Sequence, residues 1–177
     1  MGKLIYYVAI SLDGFICGEN DDISGFISDG EGVKKYLQDL QLYETVIKGR
    51  KTYEFGYQFG MKPGQLPYPH MQHYIVSATL NLPETDENLL IIKPDIEEVE
   101  KIKNNATSDV YLCGGGELAG WMLKNKLVDV VKIKLNPFIQ GSGTRLFEKI
   151  NDQYQLVMFD SQKFPSGLHI ISYLVKY

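Results

Sequence analysis

The chain contains 177 residues, of which 44% are hydrophobic and 23% are charged. This profile is typical of one soluble globular domain that can bury a core without disulfide bonds or a structural metal. Eighteen basic residues against 22 acidic ones give a net charge of −4, which disfavours general binding to nucleic acids or to anionic membranes.

The cysteine and histidine positions favour neither disulfides nor a metal centre. Cys17 and Cys113 are the only cysteines, and without metal-ligand or C-x-x-C spacing we interpret them as small buried hydrophobes in a reducing compartment. His70 and His73 lie beside prolines, which favours a loop or strand edge over a zinc site. Residues 1–10 are too briefly apolar for a signal peptide, and no window approaches a membrane span. We therefore expect a cytoplasmic protein.

In the first half of the chain, strand and helix patterns alternate. Residues 4–12 are apolar almost throughout and predict a strand at the centre of a sheet. Residues 15–32 are predicted to be a loop, rich in Gly, Ser, Asp and Asn from residue 20 onward. Apolar residues at helical spacing follow over residues 33–40. Residues 44–48 and 73–77 predict two further strands, separated by a short helix and a proline-rich loop.

The second half continues this alternation and ends in a hairpin. Residues 89–92 predict a strand, and Pro94 is a favourable first residue for the helix that follows it. Residues 127–139 form a long β-branched run, and residues 141–147 a glycine-rich loop. Residues 154–161 and 168–175 predict an antiparallel hairpin. Together these patterns predict one α/β domain over residues 1–177, with a mainly parallel sheet, crossover helices and an antiparallel C-terminal end.

A glycine turn in the middle of the chain is the first candidate for a binding site. Residues 110–113 predict a buried strand, three glycines follow it (Gly114, Gly115 and Gly116), and a helical pattern begins at Glu117. A strand that ends in glycines and continues as a helix points free backbone N–H groups at one place, which suits a phosphate or another anion. A tight strand-to-helix connection without a ligand is the alternative interpretation.

Five short motifs span the chain and support the first interpretation. They are VAISLDGFI at 8–16, GRKT at 49–52, IVS at 75–77, CGGGEL at 113–118 and P-x-x-x-G-x-G-x-x-LF at 137–147. Their order resembles the dihydrofolate reductase-like superfamily, and within it the reductase domain of riboflavin biosynthesis, the RibD C-terminal type. This resemblance implies a single-domain dihydrofolate reductase-like fold that binds NADPH.

The resemblance also implies which residues contact the cofactor. In the family, the Gly-Arg-Lys-Thr turn meets the adenosine 2′-phosphate and the pyrophosphate, and Arg50 has the fork geometry that phosphate oxygens need. Ser77 would help to hold the 2′-phosphate, and Ala9 and Ile16 would contact the nicotinamide. The implied cofactor contacts are Ala9, Ile16, Gly49, Arg50, Lys51, Thr52, Ser77, Gly114, Gly115, Gly116, Glu117 and Leu118. A solvated basic face at Arg50 and Lys51, and a simple turn at Ser77, are the alternatives.

On the substrate side, the resemblance is partial. Asp29 falls where folate reductases place the carboxylate that binds the pterin, although an Asp before a helical pattern is also a common N-cap. The Trp-x-x-Pro ahead of that acid is replaced by residues 24–27, Ser-Gly-Phe-Ile. Residues 70–72 lack the arginine that clamps the glutamate tail of dihydrofolate. Both departures count against dihydrofolate as the substrate.

These observations predict an NADPH-dependent reductase of the riboflavin-biosynthesis type, similar to 5-amino-6-(5-phosphoribosylamino)uracil reductase. Hydride would pass to a C=N or C=O bond of a small heterocyclic or sugar-derived substrate, with Asp29 as the candidate catalytic residue and no metal. A dihydrofolate reductase and a non-catalytic NADPH-binding protein are the alternatives. The family commonly forms homodimers through its C-terminal strands, and the apolar run 128–139 is the candidate surface for a homodimer.

Overall fold

One eight-stranded sheet carries the fold in the computed structural model, which describes residues 2–177. The strands are β1 (Leu4–Ile10), β2 (Phe15–Cys17), β3 (Thr45–Gly49), β4 (Gln72–Val76), β5 (Leu89–Ile92), β6 (Val110–Gly114), β7 (Val130–Leu135), β8 (Thr144–Arg145), β9 (Gln155–Lys163) and β10 (His169–Lys176). The helices are α1 (Glu31–Leu40), α2 (Arg50–Glu54), α3 (Ile96–Asn105) and α4 (Gly116–Lys124), with short 3-10 helices at Glu19–Asp21 and Phe55–Phe59.

The strand order in the sheet is β5-β4-β3-β6-β1-β7-β10-β9. All pairs from β5 to β7 are parallel, while β10 runs antiparallel to both β7 and β9. The predicted α/β class, with a mainly parallel sheet and an antiparallel C-terminal hairpin, is therefore confirmed. β1 lies inside the sheet between β6 and β7, as its uninterrupted apolar sequence predicts.

Two layers of side chains cover the faces of this sheet. On one face, α3 and α4 bury Val99, Met122 and Leu123 against the strands. On the other face, α1 packs Leu40 against a second cluster, which also contains Phe164 from the turn of the C-terminal hairpin. The faces differ in chemistry, because the α1 side includes several tyrosines and lysines among its buried residues.

A small second sheet was not predicted. β2 and β8 pair antiparallel, with Phe15 opposite Arg145, in segments that the sequence predicts to be loops. Strands of two and three residues are too short to produce an alternating pattern of apolar and polar residues. The glycines and polar residues around them therefore led to the prediction of loops. Residues 15–17 also lie beside the end of β1, where the Ser11 N–H donates to the Phe15 carbonyl at 2.9 Å.

Two predicted boundaries are corrected by their capping groups. α3 begins at Ile96 rather than at Pro94, because the Asp95 side chain accepts from the Glu97 N–H at 2.9 Å and forms the N-cap. α1 begins at Glu31 after Gly30, whose φ of +103° favours glycine. No side chain caps α1, so Asp29 does not have the capping role that was one of its two interpretations.

The C-terminal strands correct the predicted position of a contact surface. β7 lies between β1 and β10, and Val128, Val130 and Val131 are buried in the core. The run 128–139 therefore does not provide an exposed apolar surface. The exposed edge of the sheet is β9, and all nine of its residues are exposed.

Both cysteines are free thiols, as the sequence predicts, but only Cys17 is buried. Cys113, near the end of β6, is partly exposed. Among residues 2–177 no helix is both long enough and apolar enough to cross a bilayer. The same residues contain no cluster of three or more His, Cys, Asp and Glu side chains suited to a metal ion.

Candidate active site

The candidate site lies where the parallel strands β1, β3 and β6 end. Ligands of open α/β sheets bind at the carboxyl ends of such strands. β3 leads into the Gly-Arg-Lys-Thr segment, β6 leads into the glycine turn, and β1 ends at Ile10, close to the β2 segment. The fold thus brings three of the five sequence motifs to one edge of the sheet.

Gly115 is the point where these motifs meet. A Cβ atom built on Gly115 would lie 3.3 Å from Thr52 Oγ1 and 3.9 Å from Ile16 Cδ1. Gly115 therefore lies against Thr52 of α2 and near Ile16 of β2, and we call the surface that these segments form at the ends of the strands the groove. A Cβ atom built on Gly49 would lie 3.7 Å from the Gly114 carbonyl oxygen and 3.8 Å from Leu118 Cβ. Six of the implied cofactor contacts thus lie around one groove: Ile16, Gly49, Thr52, Gly114, Gly115 and Leu118.

The three glycines of the turn have different roles. Gly114 has a φ of +106°, which a residue with a side chain rarely adopts, and its peptide bond to Gly115 is cis. Gly116 packs against backbone: a Cβ there would clash with the Arg145 carbonyl oxygen, and the Glu148 N–H donates to the Gly116 carbonyl at 3.0 Å. Gly116 is therefore needed for packing, whereas Gly115 keeps the groove open.

The start of α4 presents both backbone donors and charged side chains. Gly115 is the N-cap residue, and no side chain accepts from the first turn of the helix. Free N–H groups and the helix dipole favour an anion at this end. Glu117 is exposed and forms an ion pair with Lys149. This contact and the nearby Lys51 lower the pKa of the Glu117 carboxyl group.

Arg50 and Ser77 lie close together although 27 positions separate them in the sequence. Arg50 Nη1 donates to Thr79 Oγ1 at 3.2 Å, and Arg50 Nε donates to Glu54 Oε1 at 2.8 Å. Ser77 Oγ accepts from the N–H groups of Thr79 and Leu80 at 3.2 and 2.9 Å. The Ser77 oxygen therefore organises a turn, as its alternative interpretation states, and its O–H hydrogen is still available to donate to a ligand.

Ala9 and Asp29 have no described contact with Gly115, Thr52 or Ile16 among residues 2–177. Ala9, near the end of β1, is partly exposed and lies opposite Lys134 of β7 in the sheet. Asp29 is exposed in the segment before α1, and its carboxylate accepts only from the adjacent Gly30 N–H, at 2.6 Å. No described contact joins Asp29 to the glycine turn, so its catalytic role is still a prediction.

A row of tyrosines on the α1 face of the sheet was not recognised in the sequence. The hydroxyl groups of Tyr36, in α1, and Tyr111, in β6, lie 3.0 Å apart. The ring of Tyr68, from the proline-rich loop, lies 5.9 Å from the ring of Tyr111. Burial and the neighbouring Cys113 thiol raise the pKa values of all three phenols, so they are neutral hydrogen-bonding groups.

The tyrosine row, defined by Tyr36, Tyr111 and Tyr68, has a lysine at each end. Lys134 Nζ lies 4.9 Å from the centre of the Tyr36 ring, and Lys48 Nζ lies 4.6 Å from the centre of the Tyr68 ring. A lysine within an otherwise buried strand sequence, such as Lys48 in Thr-Val-Ile-Lys-Gly, was the available sequence signal. The role of this lysine was missed because the tyrosine rings around it come from distant parts of the chain.

His73 fixes the loop that carries Tyr68. Its ring stacks on Tyr68 at 5.9 Å, and its Nε2 atom lies 2.9 Å from the Tyr68 carbonyl oxygen. Burial, with a smaller contribution from the nearby Lys48, lowers the pKa of His73 to about 4, so the ring is neutral at pH 7. Its Nδ1 atom is buried without a hydrogen-bond partner among residues 2–177.

Comparison with known proteins agrees with this geometry. YyaP, an uncharacterized protein of Bacillus subtilis (strain 168), is 30% identical over an alignment of 182 positions that covers 97% of this chain and 94% of that protein. A putative riboflavin biosynthesis protein from Shewanella sp. PV-4 has the same fold, with a TM-score of 0.81 at 18% identity and full coverage of both chains.

A dihydrofolate reductase from Enterococcus faecalis, solved in complex with NADP(H) and RAB-propyl, also shares the fold. Its TM-score is 0.68 at 15% identity, over 99% of this chain and 98% of that one. Residues 2–170 match the RibD C-terminal domain family. Because that match covers nearly the whole chain and includes every motif at the groove, the chain belongs to the RibD C-terminal domain family.

Proposed function

We propose that this protein is an NADPH-dependent reductase of the riboflavin-biosynthesis type. The observation that carries the proposal is the convergence of Ile16, Gly49, Thr52, Gly115 and Leu118 on one groove at the carboxyl ends of the strands. These residues come from three separate segments, and a simple strand-to-helix connection would not require their meeting. A groove that a single Cβ at Gly115 would narrow suits a pyrophosphate held against backbone N–H groups.

In this proposal, each part of the cofactor has its own residues. The nicotinamide lies against Ala9 and Ile16, and the pyrophosphate lies at Gly115 and the first turn of α4. Arg50 and Ser77 hold the 2′-phosphate. NADPH supplies the hydride, while the protein binds, orients and shields the reacting groups. The substrate is a small heterocyclic or sugar-derived molecule with a reducible C=N or C=O bond, such as 5-amino-6-(5-phosphoribosylamino)uracil.

The contacts of Arg50 indicate which groups would compete with a 2′-phosphate for its guanidinium group. The guanidinium group has Glu54 on its Nε atom and Thr79 on Nη1, and it is exposed. A 2′-phosphate would share the guanidinium with Glu54 or displace that carboxylate. NADH carries no such phosphate, so the preference for NADPH would depend mainly on Arg50, with Ser77 as the second contact.

Titration of the purified protein with NADPH and with NADH tests the proposal. Fluorescence of Trp121, the only tryptophan, and thermal shift both report binding. We expect tighter binding of NADPH, and we expect Arg50→Ala to remove most of that preference, since a charge-assisted hydrogen bond contributes roughly 1.5–3 kcal/mol. Lys101→Ala, an exposed residue of α3, is the control. If neither nucleotide binds, the reductase proposal is wrong.

The proposal includes a cytoplasmic homodimer that forms through β9. This edge strand exposes Leu156, Val157, Met158 and Phe159 in succession. An exposed, apolar edge strand with unpaired backbone groups favours pairing with another strand. Two copies of β9, or the sheet faces beside them, would cover this surface in a symmetric contact.

A further inference from the structure

Asp13, in the turn after β1, binds a loop that lies far away in the sequence. Its Oδ1 atom accepts from the Gln140 N–H at 3.0 Å, and its Oδ2 atom accepts from the Gly141 N–H at 2.8 Å. The Gln140 N–H, the Ser11 hydroxyl and the Gly141 N–H together lower the pKa of the Asp13 carboxyl group to about 2. Asp13 is therefore a carboxylate at neutral pH, and hydrogen bonds to a charged acceptor are among the stronger ones in proteins.

Asp13 is also connected to β2, through Ser11. The buried Ser11 hydroxyl donates to Asp13 Oδ1 at 2.6 Å, and the same hydroxyl oxygen accepts from the Phe15 N–H at 3.0 Å. Phe15 is the first residue of β2, and the next residue is Ile16, which lies near Gly115 in the groove. One carboxylate thus holds both the start of β2 and the loop at residues 140 and 141.

The same loop continues as a segment, residues 140–148, that contacts both sides of the groove. We call it the bridging segment. On the β2 side, the Leu146 N–H donates to the Gly14 carbonyl at 2.9 Å, and β8 pairs with β2. On the α4 side, the Glu148 N–H donates to the Gly116 carbonyl at 3.0 Å. The position of the bridging segment therefore determines how far β2 lies from the glycine turn.

The end of the bridging segment that Asp13 holds is exposed and rich in glycine. Residues 141–143 are exposed, and the φ values of Gly141 and Gly143 are +83° and +128°, which residues with side chains rarely adopt. Exposed backbone with few buried contacts opens easily unless hydrogen bonds hold it. Within residues 2–177, the hydrogen bonds from the N–H groups of Gln140 and Gly141 both go to Asp13.

We propose that Asp13 is a positioning residue for the groove: by holding the bridging segment and the start of β2, it keeps Ile16 next to Gly115. Asp13 itself does not touch the cofactor, and it acts through Ile16. The expected effect on NADPH binding rests on the proposed reductase function, whereas the expected effect on the order of β2 does not. Asp13→Asn tests the proposal, because it leaves one acceptor oxygen for two N–H groups and turns an NH2 group toward a donor.

Amide hydrogen exchange of the protein without cofactor tests the positioning itself. We expect Asp13→Asn to speed exchange about tenfold in peptides that contain residues 15–17 and 144–148, the size expected for loss of a hydrogen bond to a charged group. Asp22→Asn is the matched control, because Asp22 also accepts from a backbone N–H, that of Ser24 at 2.9 Å, but joins no distant segments. Urea unfolding confirms that each variant is folded. Unchanged exchange in both peptides of Asp13→Asn overturns the inference.

NADPH titration tests whether the positioning reaches the groove. We expect Asp13→Asn to weaken NADPH binding about fivefold, within the range of coupling between linked residues, and Asp22→Asn to leave it unchanged. Ile16→Ala removes the side chain through which Asp13 acts. In that background, Asp13→Asn should change the affinity by less than about twofold, because the effects of coupled residues do not add. Equal losses in the two backgrounds would show that Asp13 does not act through Ile16, and would overturn the inference.

The two measurements separate this inference from the proposed function. If the wild-type protein binds no NADPH, the reductase proposal is wrong, and exchange in the peptide with residues 15–17 alone decides whether Asp13 holds Ile16 in place. If NADPH binds, faster exchange in Asp13→Asn with unchanged affinity would show that the position of Ile16 does not affect the groove. That result would overturn the inference and leave the reductase proposal standing.

Discussion

Gly115 and Thr52 lie against each other in the groove of the candidate site, and a Cβ atom on Gly115 would lie 3.3 Å from Thr52 Oγ1. This proximity joins the turn after β6 to the segment after β3, although 62 residues separate the two in the chain. The neighbouring Gly116 faces the opposite way, toward the Arg145 carbonyl. Two adjacent glycines thus provide a matched pair for separating binding from packing.

We predict that Gly115→Ala weakens NADPH binding by about tenfold, or 1.4 kcal/mol, because the added methyl group enters the groove. The fold should tolerate it: the φ of Gly115 is −75°, and loss of a glycine N-cap costs about 0.5–1 kcal/mol. Gly116→Ala should lower the free energy of unfolding by roughly 3 kcal/mol, because its methyl group has no space. Urea unfolding and NADPH titration of both variants measure these effects. If the two substitutions weakened NADPH binding equally and also lowered the free energy of unfolding equally, the assignment of Gly115 to the groove and of Gly116 to packing would be wrong.

A second prediction concerns the carboxylate beside Arg50. Glu54→Gln removes the charge that competes with a 2′-phosphate for the guanidinium group, and it keeps the size of the side chain. We expect NADPH affinity to rise about threefold, since an exposed ion pair contributes roughly 0.2–1 kcal/mol, while NADH affinity stays constant. The gain should shrink at high salt, where exposed charges are screened. A rise in affinity for both nucleotides would show that Glu54 acts on the fold of α2 rather than on the phosphate.

The contrast between the groove and the tyrosine row shows what the sequence could predict. The groove residues are carried by short motifs in which a strand, glycines and a helix follow one another, so each motif indicates its own position. Lys48, Tyr36, Tyr68 and Tyr111 come from two strands, a helix and a loop, and none of them has a distinctive neighbour in the sequence. Their relationship depends on strand order and side-chain direction, which no local pattern contains.

Burial explains the other differences between sequence and structure. Residues 127–139 were correctly predicted to contain a strand, but an apolar run is equally consistent with a core strand and an exposed interface strand. The pairing of β7 with both β1 and β10 decides between them. β9 is less apolar along its length than β7. It is nevertheless exposed, because it is the last strand of the sheet and only β10 pairs with it among residues 2–177.

The surface on β9 leads to a third prediction. If β9 forms the homodimer contact, Phe159→Asp should convert the dimer to a monomer, because a buried carboxylate without a partner is costly. Phe159 is 56% exposed in the single chain, so the monomer should fold normally. Leu42→Asp, at an exposed apolar residue outside β9, is the control. Analytical ultracentrifugation measures the association state, and a monomeric wild-type protein at all concentrations would refute the homodimer.

A fourth prediction concerns Asp29, whose carboxylate is free of any helix-capping role. Asp29→Asn keeps the size of the side chain and removes the acid. If Asp29 contacts the substrate, turnover should fall at least about a hundredfold, the lower range for general acid–base catalysis, while NADPH affinity is unchanged. Asp22→Asn, in the same exposed loop, serves as the control. Unchanged turnover in Asp29→Asn would leave water as the proton source and remove Asp29 from the site.

The last prediction is the pH dependence of stability, through His73. Burial lowers the pKa of this ring to about 4 in the folded protein, whereas the unfolded chain has an ordinary histidine pKa near 6.5. Between these values the unfolded state binds a proton that the folded state does not bind, so the free energy of unfolding must fall as the pH is lowered.

This contribution is complete above about pH 6.5 and is lost progressively down to pH 4, with a total of roughly 1–3 kcal/mol. His73→Gln keeps a hydrogen-bond donor near the Tyr68 carbonyl and removes the titration, so its stability should change less over the same range. His70→Gln, at an exposed position, should follow the wild-type curve. Urea unfolding at pH 7.5, 5.5 and 4.5, values chosen on either side of about pH 6.5, measures the effect. Parallel curves for wild type and His73→Gln would show that the ring is not buried in its neutral form.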